Sequence, residues 1–165
     1  MLFWRKLQTV LSPFQKMIKI IAVGKIKEKY LQDAIKEYEK RLSAYTKLEI
    51  IQTDDEKCPE NASAALEEQI RAKEGERILK AVRDSDYVIT LEIKGSMMSS
   101  EKLAEKIADL QTNGNSDIVF IIGGSIGLSR GVSGRSNLKL SFSQMTFPHQ
   151  LMRVILLEQI YRAYK

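Results

Sequence analysis

Apolar residues follow two alternating patterns along this chain, and together they predict an α/β protein. Continuous apolar runs of about four to eight residues are typical of strands buried in a parallel sheet. Apolar positions three or four residues apart indicate helices with one buried face. The runs predict strands at Ile18–Val23, Lys47–Thr53, Tyr87–Ile93, Asp117–Ile122 and Leu138–Phe142.

The segments between these strands show helical periodicity. Capping residues are expected at Asn61 or Ser63, at Ser99 or Ser100, and at Gly114. The predicted helices are Tyr30–Tyr45, a long helix ending near Arg83, Glu101–Thr112, and a closing helix with Pro148 as its first residue. Strands that alternate with helices in this way favour a mostly parallel sheet with helices on both faces.

Composition narrows the class of protein further. The 165 residues are 44% hydrophobic and 28% charged, which is typical of one globular domain. Cys58 is the only cysteine and His149 the only histidine, so we expect no disulfide, no metal site and a cytoplasmic location. No apolar run approaches the roughly 20 residues of a membrane span, so no membrane partner is expected.

The net charge of +5 is unevenly distributed. Arg5, Lys6 and Lys16 lie in residues 1–16, which contain no acid, so only a local basic face is expected on the rest of the chain. A continuous apolar pattern typical of a strand begins at Met17. We therefore expect residues 1–16 to be an N-terminal extension and residues 17–165 to be the domain; a short amphipathic arm is the alternative for residues 1–16.

Two irregular loops follow predicted strands, where open α/β sheets bind ligands. The first is Gly123-Gly124-Ser125-Ile126-Gly127, which is either a ligand contact or a simple tight turn. Its G-G-x-x-G spacing differs from the dinucleotide fingerprint, which leaves a nucleotide-binding oxidoreductase as a weak alternative.

The second loop, Ser143–His149, leads into the closing helix. Met145 and Phe147 either sandwich a flat base or pack as ordinary core side chains. His149 is either a proton acceptor or a residue at the helix cap. The cations of the closing helix form either a phosphate-facing edge or a solvated face paired with Glu158: Arg153, Arg162 and Lys165.

Several segments, taken in order, resemble one known family. They are IKIIAVGKIKEKY, YEKRL, ITLEIKG, FIIGGSIGL, LSFSQMTFPHQLMRV and LEQIYRAYK. The chain from Met17 to Lys165 resembles the ribosomal RNA large subunit methyltransferase H family, a branch of the SPOUT methyltransferases. The resemblance implies a C-terminal trefoil knot, a homodimer, and S-adenosylmethionine bound in the knot. It also implies N3 methylation of a pseudouridine in large-subunit (23S) rRNA on the assembled ribosome.

Individual residues are assigned roles within this interpretation, of which the resemblance itself implies only the cofactor contacts. Arg153 and His149 are the expected catalytic residues, with His149 or solvent taking the imide proton. Arg153, Arg162 and Lys165 are expected to contact RNA. The expected cofactor contacts are Leu91, Gly123, Phe142, Ser143, Gln144, Met145, Thr146 and Phe147.

Members of that family usually continue past YRAYK into a further tail, whereas this sequence stops at Lys165. The alternative function is therefore a catalytically impaired RNA- or ribosome-binding protein of the same fold.

Overall fold

The computed structural model describes residues 17–114 and 117–165. The predictions for residues 1–16 lie outside the described residues. The strands are β1 (Met17–Val23), β2 (Lys47–Thr53), β3 (Tyr87–Met97), β4 (Ile118–Ile122) and β5 (Leu138–Ser141). The helices are α1 (Lys29–Leu42), α2 (Ala64–Lys80), α3 (Ser100–Asn113), α4 (Arg130–Arg135) and α5 (His149–Tyr164).

The five strands form one parallel sheet in the order β2-β1-β4-β3-β5. This confirms the predicted parallel α/β architecture. The trefoil knot stays a prediction, because strand order and register do not describe how the chain is threaded.

The sheet separates two hydrophobic cores, and β4 contributes to both. Its five residues are all buried, and they alternate between the faces. Ile118 and Phe120 belong to the core that also contains apolar residues of α1, α3 and α5. Val119 and Ile121 belong to the core shared with α2 and α4. A strand with both faces covered needs the continuous apolar run seen in the sequence.

Helix boundaries follow local capping. The hydroxyl of Ser63 accepts a hydrogen bond from the Leu66 N–H, and Ser99 does the same for Lys102, as expected of N-caps. The first helix was predicted to continue to Tyr45, but it ends at Leu42. Ser43 follows it, and the Ser43 hydroxyl donates to the Lys40 carbonyl (2.6 Å).

Strand β3 is longer than predicted, because its pairing with β5 resumes after an irregularity. The register shifts between Leu91 and Ser96, and Ser96 and Met97 then pair with β5. Gly95 lies within the shift. A Cβ there would come within 2.7 Å of the Lys139 carbonyl carbon and oxygen, which leaves room only for glycine.

One predicted helix face is wrong in part. Arg153, predicted to lie on an outer edge of α5, is buried together with Leu156, Leu157 and Ile160. Helix α5 packs between α1 and α3 on one face of the sheet, so it buries a wider face than a narrow apolar stripe would predict.

Within the described part of the chain, no helix combines the length and apolar character needed to cross a membrane.

Replacing Gly95 by alanine should destabilise the β3–β5 pairing. The added methyl would meet backbone atoms that cannot rotate away, so we expect Gly95→Ala to lower the free energy of unfolding by about 1–3 kcal/mol. Gly134→Ala in α4 is the matched control: its Cβ would meet nothing within 4 Å, so it should be neutral or stabilising. Urea denaturation of both variants measures this, and equal stabilities would contradict the expectation.

Candidate functional site

A cavity of about 1000 Å³ opens where β4 and β5 end and where the register of β3 shifts. We call it the strand-end cavity. Its walls come from Leu91–Lys94 in the irregular part of β3, from the loop after β4, from Arg71 of α2, and from the segment between Leu140 and Met152. Strands β4 and β3 are neighbours in the sheet, and β5 pairs with β3, so parallel pairing places these three segments at the same edge. Ligands of open α/β sheets bind at this edge.

The structure brings together most of the residues predicted to hold a cofactor. Gln144 is exposed and is not part of the cavity wall. His149 also contributes to the wall. The predicted cofactor residues that line the cavity are Leu91, Gly123, Phe142, Ser143, Met145, Thr146 and Phe147.

The glycine loop is a tight turn that forms part of the cavity wall, so the two alternatives for it are compatible. Gly124 and Gly127 form an antiparallel bridge, and the Gly127 N–H donates to the Gly124 carbonyl (3.1 Å). Gly127 has φ +83°, a left-handed conformation that favours glycine. Arg71 of α2 donates to the carbonyl of Ile126 (3.3 Å), which ties the loop to a helix far away in sequence.

A polar network supports the β3 side of the cavity. The Glu92 carboxylate accepts hydrogen bonds from the Thr90 hydroxyl (2.6 Å) and from the Ser133 hydroxyl of α4 (2.9 Å). The hydroxyl oxygens of Thr90 and Ser136 also lie within hydrogen-bond distance of each other (2.9 Å). The network fixes the orientation of Glu92, a cavity residue that no sequence pattern indicated.

His149 is half-buried at the first position of α5. Burial lowers the pKa of its imidazole below the ordinary 6.5, and the charge of Arg153 acts in the same direction. Asp55 and Glu28 oppose the shift. The imidazole is therefore neutral at neutral pH and carries one nitrogen able to accept a proton.

The three cations predicted to contact RNA occupy different environments. Arg153 is only 2% exposed, and its Nη2 donates to the carbonyls of Val23 and Gly24 (2.7 Å each). It is not part of the strand-end cavity wall, and its burial does not agree with a phosphate contact. Arg162 is exposed and bound to Glu158, and Lys165 is exposed at the last position.

A buried carboxyl that the sequence did not indicate lies behind the glycine loop. Glu74 of α2 is 4% exposed, and its Oε1 accepts the Glu56 N–H (3.1 Å). Its Oε2 has no hydrogen-bond partner among the described residues, and a Cβ on Gly124 would lie 3.4 Å from it. Burial raises the pKa of this carboxyl, and the nearby Asp55 adds to the effect.

Comparison with known proteins identifies the family. The family model described as "Predicted SPOUT methyltransferase" matches residues 17–165. This chain is a member of the SPOUT methyltransferase family.

Two relatives named "Ribosomal RNA large subunit methyltransferase H" agree with the SPOUT assignment. One is from Bifidobacterium adolescentis and the other from Clostridium novyi. Each is 62% identical to this chain over 148 residues, covering 90% of this chain and 93% of the relative.

One solved structure has the same fold as this chain. It is titled as a "probable methylase family protein" from Haemophilus influenzae Rd KW20. It matches with a TM-score of 0.51 at 15% identity, covering 89% of this chain and 66% of that one.

Glu74 should make the stability of the protein depend on pH. A carboxyl with a raised pKa in the folded state binds its proton more tightly when folded, so stability falls as the pH rises from the ordinary 4.5 through the raised value. We therefore expect Glu74→Gln to raise the free energy of unfolding at about pH 8 by about 1–3 kcal/mol. This increase in the free energy of unfolding should be smaller at about pH 4, where the wild-type carboxyl is protonated in both the folded and the unfolded state.

Urea denaturation at the two pH values measures the difference. Glu76→Gln, an exposed change on the same helix, is the control and should have little effect at either pH. A Glu74→Gln effect that is the same at both pH values would contradict the assignment of a raised pKa.

Proposed function

We propose that this protein is an S-adenosylmethionine-dependent methyltransferase that methylates N3 of a pseudouridine in large-subunit (23S) rRNA on the assembled ribosome. The observation that carries the proposal is the strand-end cavity, which combines a glycine turn with apolar walls. The names of the 62% identical relatives support rRNA as the substrate. We further propose that the enzyme works in the cytoplasm as a homodimer.

The strand-end cavity fits the proposed methyl donor. Its volume is at the upper end of the range of about 300–1000 Å³ for small-molecule sites. Leu91, Leu140 and Phe142 give the apolar wall that a flat, uncharged adenine needs. Glu92, Lys94 and Arg71 add charges of both signs, which suits the zwitterionic amino-acid end of the donor.

When bound, S-adenosylmethionine supplies a methyl group on a positively charged sulfur. Methylation then depends mainly on how the protein positions the nucleophile. The N3 atom of a uracil ring becomes a nucleophile only after losing its proton. His149, neutral and on the cavity wall, is the residue we assign to accept that proton.

RNA contacts are assigned to exposed cations. Arg162 and Lys165 lie on the last turn of α5 and beyond it, where phosphates can reach them. Arg153 is left out of this assignment because it is buried.

The proposed dimer is supported by apolar side chains at the strand-end cavity. Ile93 (55% exposed), Met145 (73%) and Phe147 (37%) all line this cavity. Exposed apolar side chains grouped at a functional site are typical of an interaction surface. A second copy of the chain would cover them.

Cofactor affinity distinguishes the proposed enzyme from the alternative, a protein that binds RNA but does not catalyse methyl transfer. Calorimetric titration of the wild-type chain with S-adenosylhomocysteine should show saturable binding. A left-handed alanine costs about 1–2 kcal/mol, so the free Gly127→Ala loop should relax out of the conformation that lines the cavity, and restoring that conformation on binding should weaken the affinity by about 5–30-fold. Gly131→Ala in α4, where a Cβ meets only ordinary contacts, should bind normally. A folded wild-type protein without affinity would favour the alternative.

Replacing His149 by glutamine should slow methyl transfer and leave cofactor binding unchanged. A proton acceptor contributes about 10²–10⁴-fold to a rate, so kcat on rRNA should fall within that range. Because the pKa of His149 is lowered, wild-type activity should fall with acidification only below the ordinary 6.5. The pH profile of kcat for both proteins tests this. Equal kcat values would assign proton removal to solvent.

A further inference from the structure

Helix α2 contacts the glycine loop through residues on one of its faces. Arg71 donates to the Ile126 carbonyl (3.3 Å), and the carboxyl of Glu74 lies against Gly124. Residues three apart in a helix lie on the same face. Gly124 and Ile126 line the strand-end cavity, whereas Glu74 does not. The glycine loop therefore separates the Glu74 carboxyl from the cavity.

Glu74 also connects the glycine loop to the loop that follows β2. Its Oε1 accepts a hydrogen bond from the Glu56 N–H (3.1 Å). Arg77, three residues further along α2, forms an ion pair with the Glu56 carboxylate and donates to the Asp54 carbonyl (2.9 Å). These contacts hold the Glu74 carboxyl in place, so its second oxygen, Oε2, stays against Gly124.

The surroundings of this second oxygen suit a neutral carboxyl better than a charged one. Glu74 is buried, and its Oε2 has no hydrogen-bond partner among the described residues. Asp55 and Glu56 add negative charge around it, and the opposing cation, Arg77, is shared with Glu56. The glycine loop and the adjoining Val23 of β1 contribute no charged side chain. Burial raises the pKa of Glu74, because the carboxylate form would be poorly solvated there.

Ionisation of Glu74 would leave a charged oxygen without a partner, which is costly in a buried position. Movement of the glycine loop away from α2 would admit water to Oε2 and remove that cost. We propose that Glu74 is a positioning residue for cofactor binding: its neutral form lets the glycine loop complete the wall of the strand-end cavity, and its ionisation displaces the loop and weakens binding. The inference rests on the proposed function, because it takes the S-adenosyl cofactor as the ligand of that cavity.

The test measures the affinity of the wild-type protein for S-adenosylhomocysteine by calorimetry between about pH 5 and about pH 8. Apparent affinity falls in proportion to the fraction of protein that is competent to bind. The dissociation constant should therefore rise between the ordinary pKa of 4.5 and the raised pKa of Glu74, by up to about tenfold per pH unit. Binding should also take up a proton, which makes the measured enthalpy depend on the buffer.

Two variants identify the group responsible. Glu74→Gln keeps the shape of the side chain and an acceptor for the Glu56 N–H but cannot ionise, so its affinity should stay at the wild-type value of about pH 5. Glu76→Gln, an exposed change on the same helix, should keep the wild-type pH profile. Protonation of His149 is common to all three proteins and cancels in the comparison.

Relaxation-dispersion NMR of the Gly124 and Gly127 amides in the free protein reports the motion of the loop on the microsecond-to-millisecond timescale. In the wild-type protein this exchange should be larger at about pH 8 than at about pH 5, and in Glu74→Gln it should not depend on pH. Equal pH profiles of affinity in the wild-type and Glu74→Gln proteins, or an unchanged loop, would overturn the role of Glu74. A folded wild-type protein without affinity at any pH would instead overturn the proposed function, and the NMR measurement then decides whether Glu74 controls the loop.

Discussion

The parallel insertion of β4 between β1 and β3 is the constraint on which the rest of the structure depends. Its register with β1 on one side and β3 on the other brings the end of β1 and the irregular part of β3 to one edge. Its alternating side chains join the two cores across the sheet. The glycine turn that follows β4 therefore lies between the irregular part of β3 and the start of α5, where the strand-end cavity opens.

Sequence patterns predicted what is local and missed what depends on distant contacts. The buried strands and the caps at Ser63 and Ser99 were predictable because apolar runs and hydroxyl caps act within a few residues. The two cavity loops were predictable because they follow strands. The support of the glycine loop by Arg71 was not, since α2 and the loop meet only in the folded chain. The inward position of Arg153 was also missed, because an arginine within a helix ordinarily indicates the solvated face.

Two buried ionisable groups lie near the carboxyl edge of the sheet, on opposite faces. Glu74 belongs to α2 and lies behind the glycine loop, whereas Arg153 belongs to α5 and holds the end of β1. Each keeps at least one polar atom unpartnered among the described residues, at a cost in stability. Such costs are typical of functional regions, where chemistry rather than packing determines which residues are present.

The position of β4 also bears on how the chain folds during synthesis. Strands β1 and β3 are made before β4, yet they do not pair with each other in the finished sheet. A nascent chain that ends before Ile118 therefore has two strands with unpaired backbone edges. Such edges recruit other chains, so the interval before β4 emerges is when this protein is most exposed to aggregation. The strand that organises the site is thus also the one that joins β1 and β3 into one sheet.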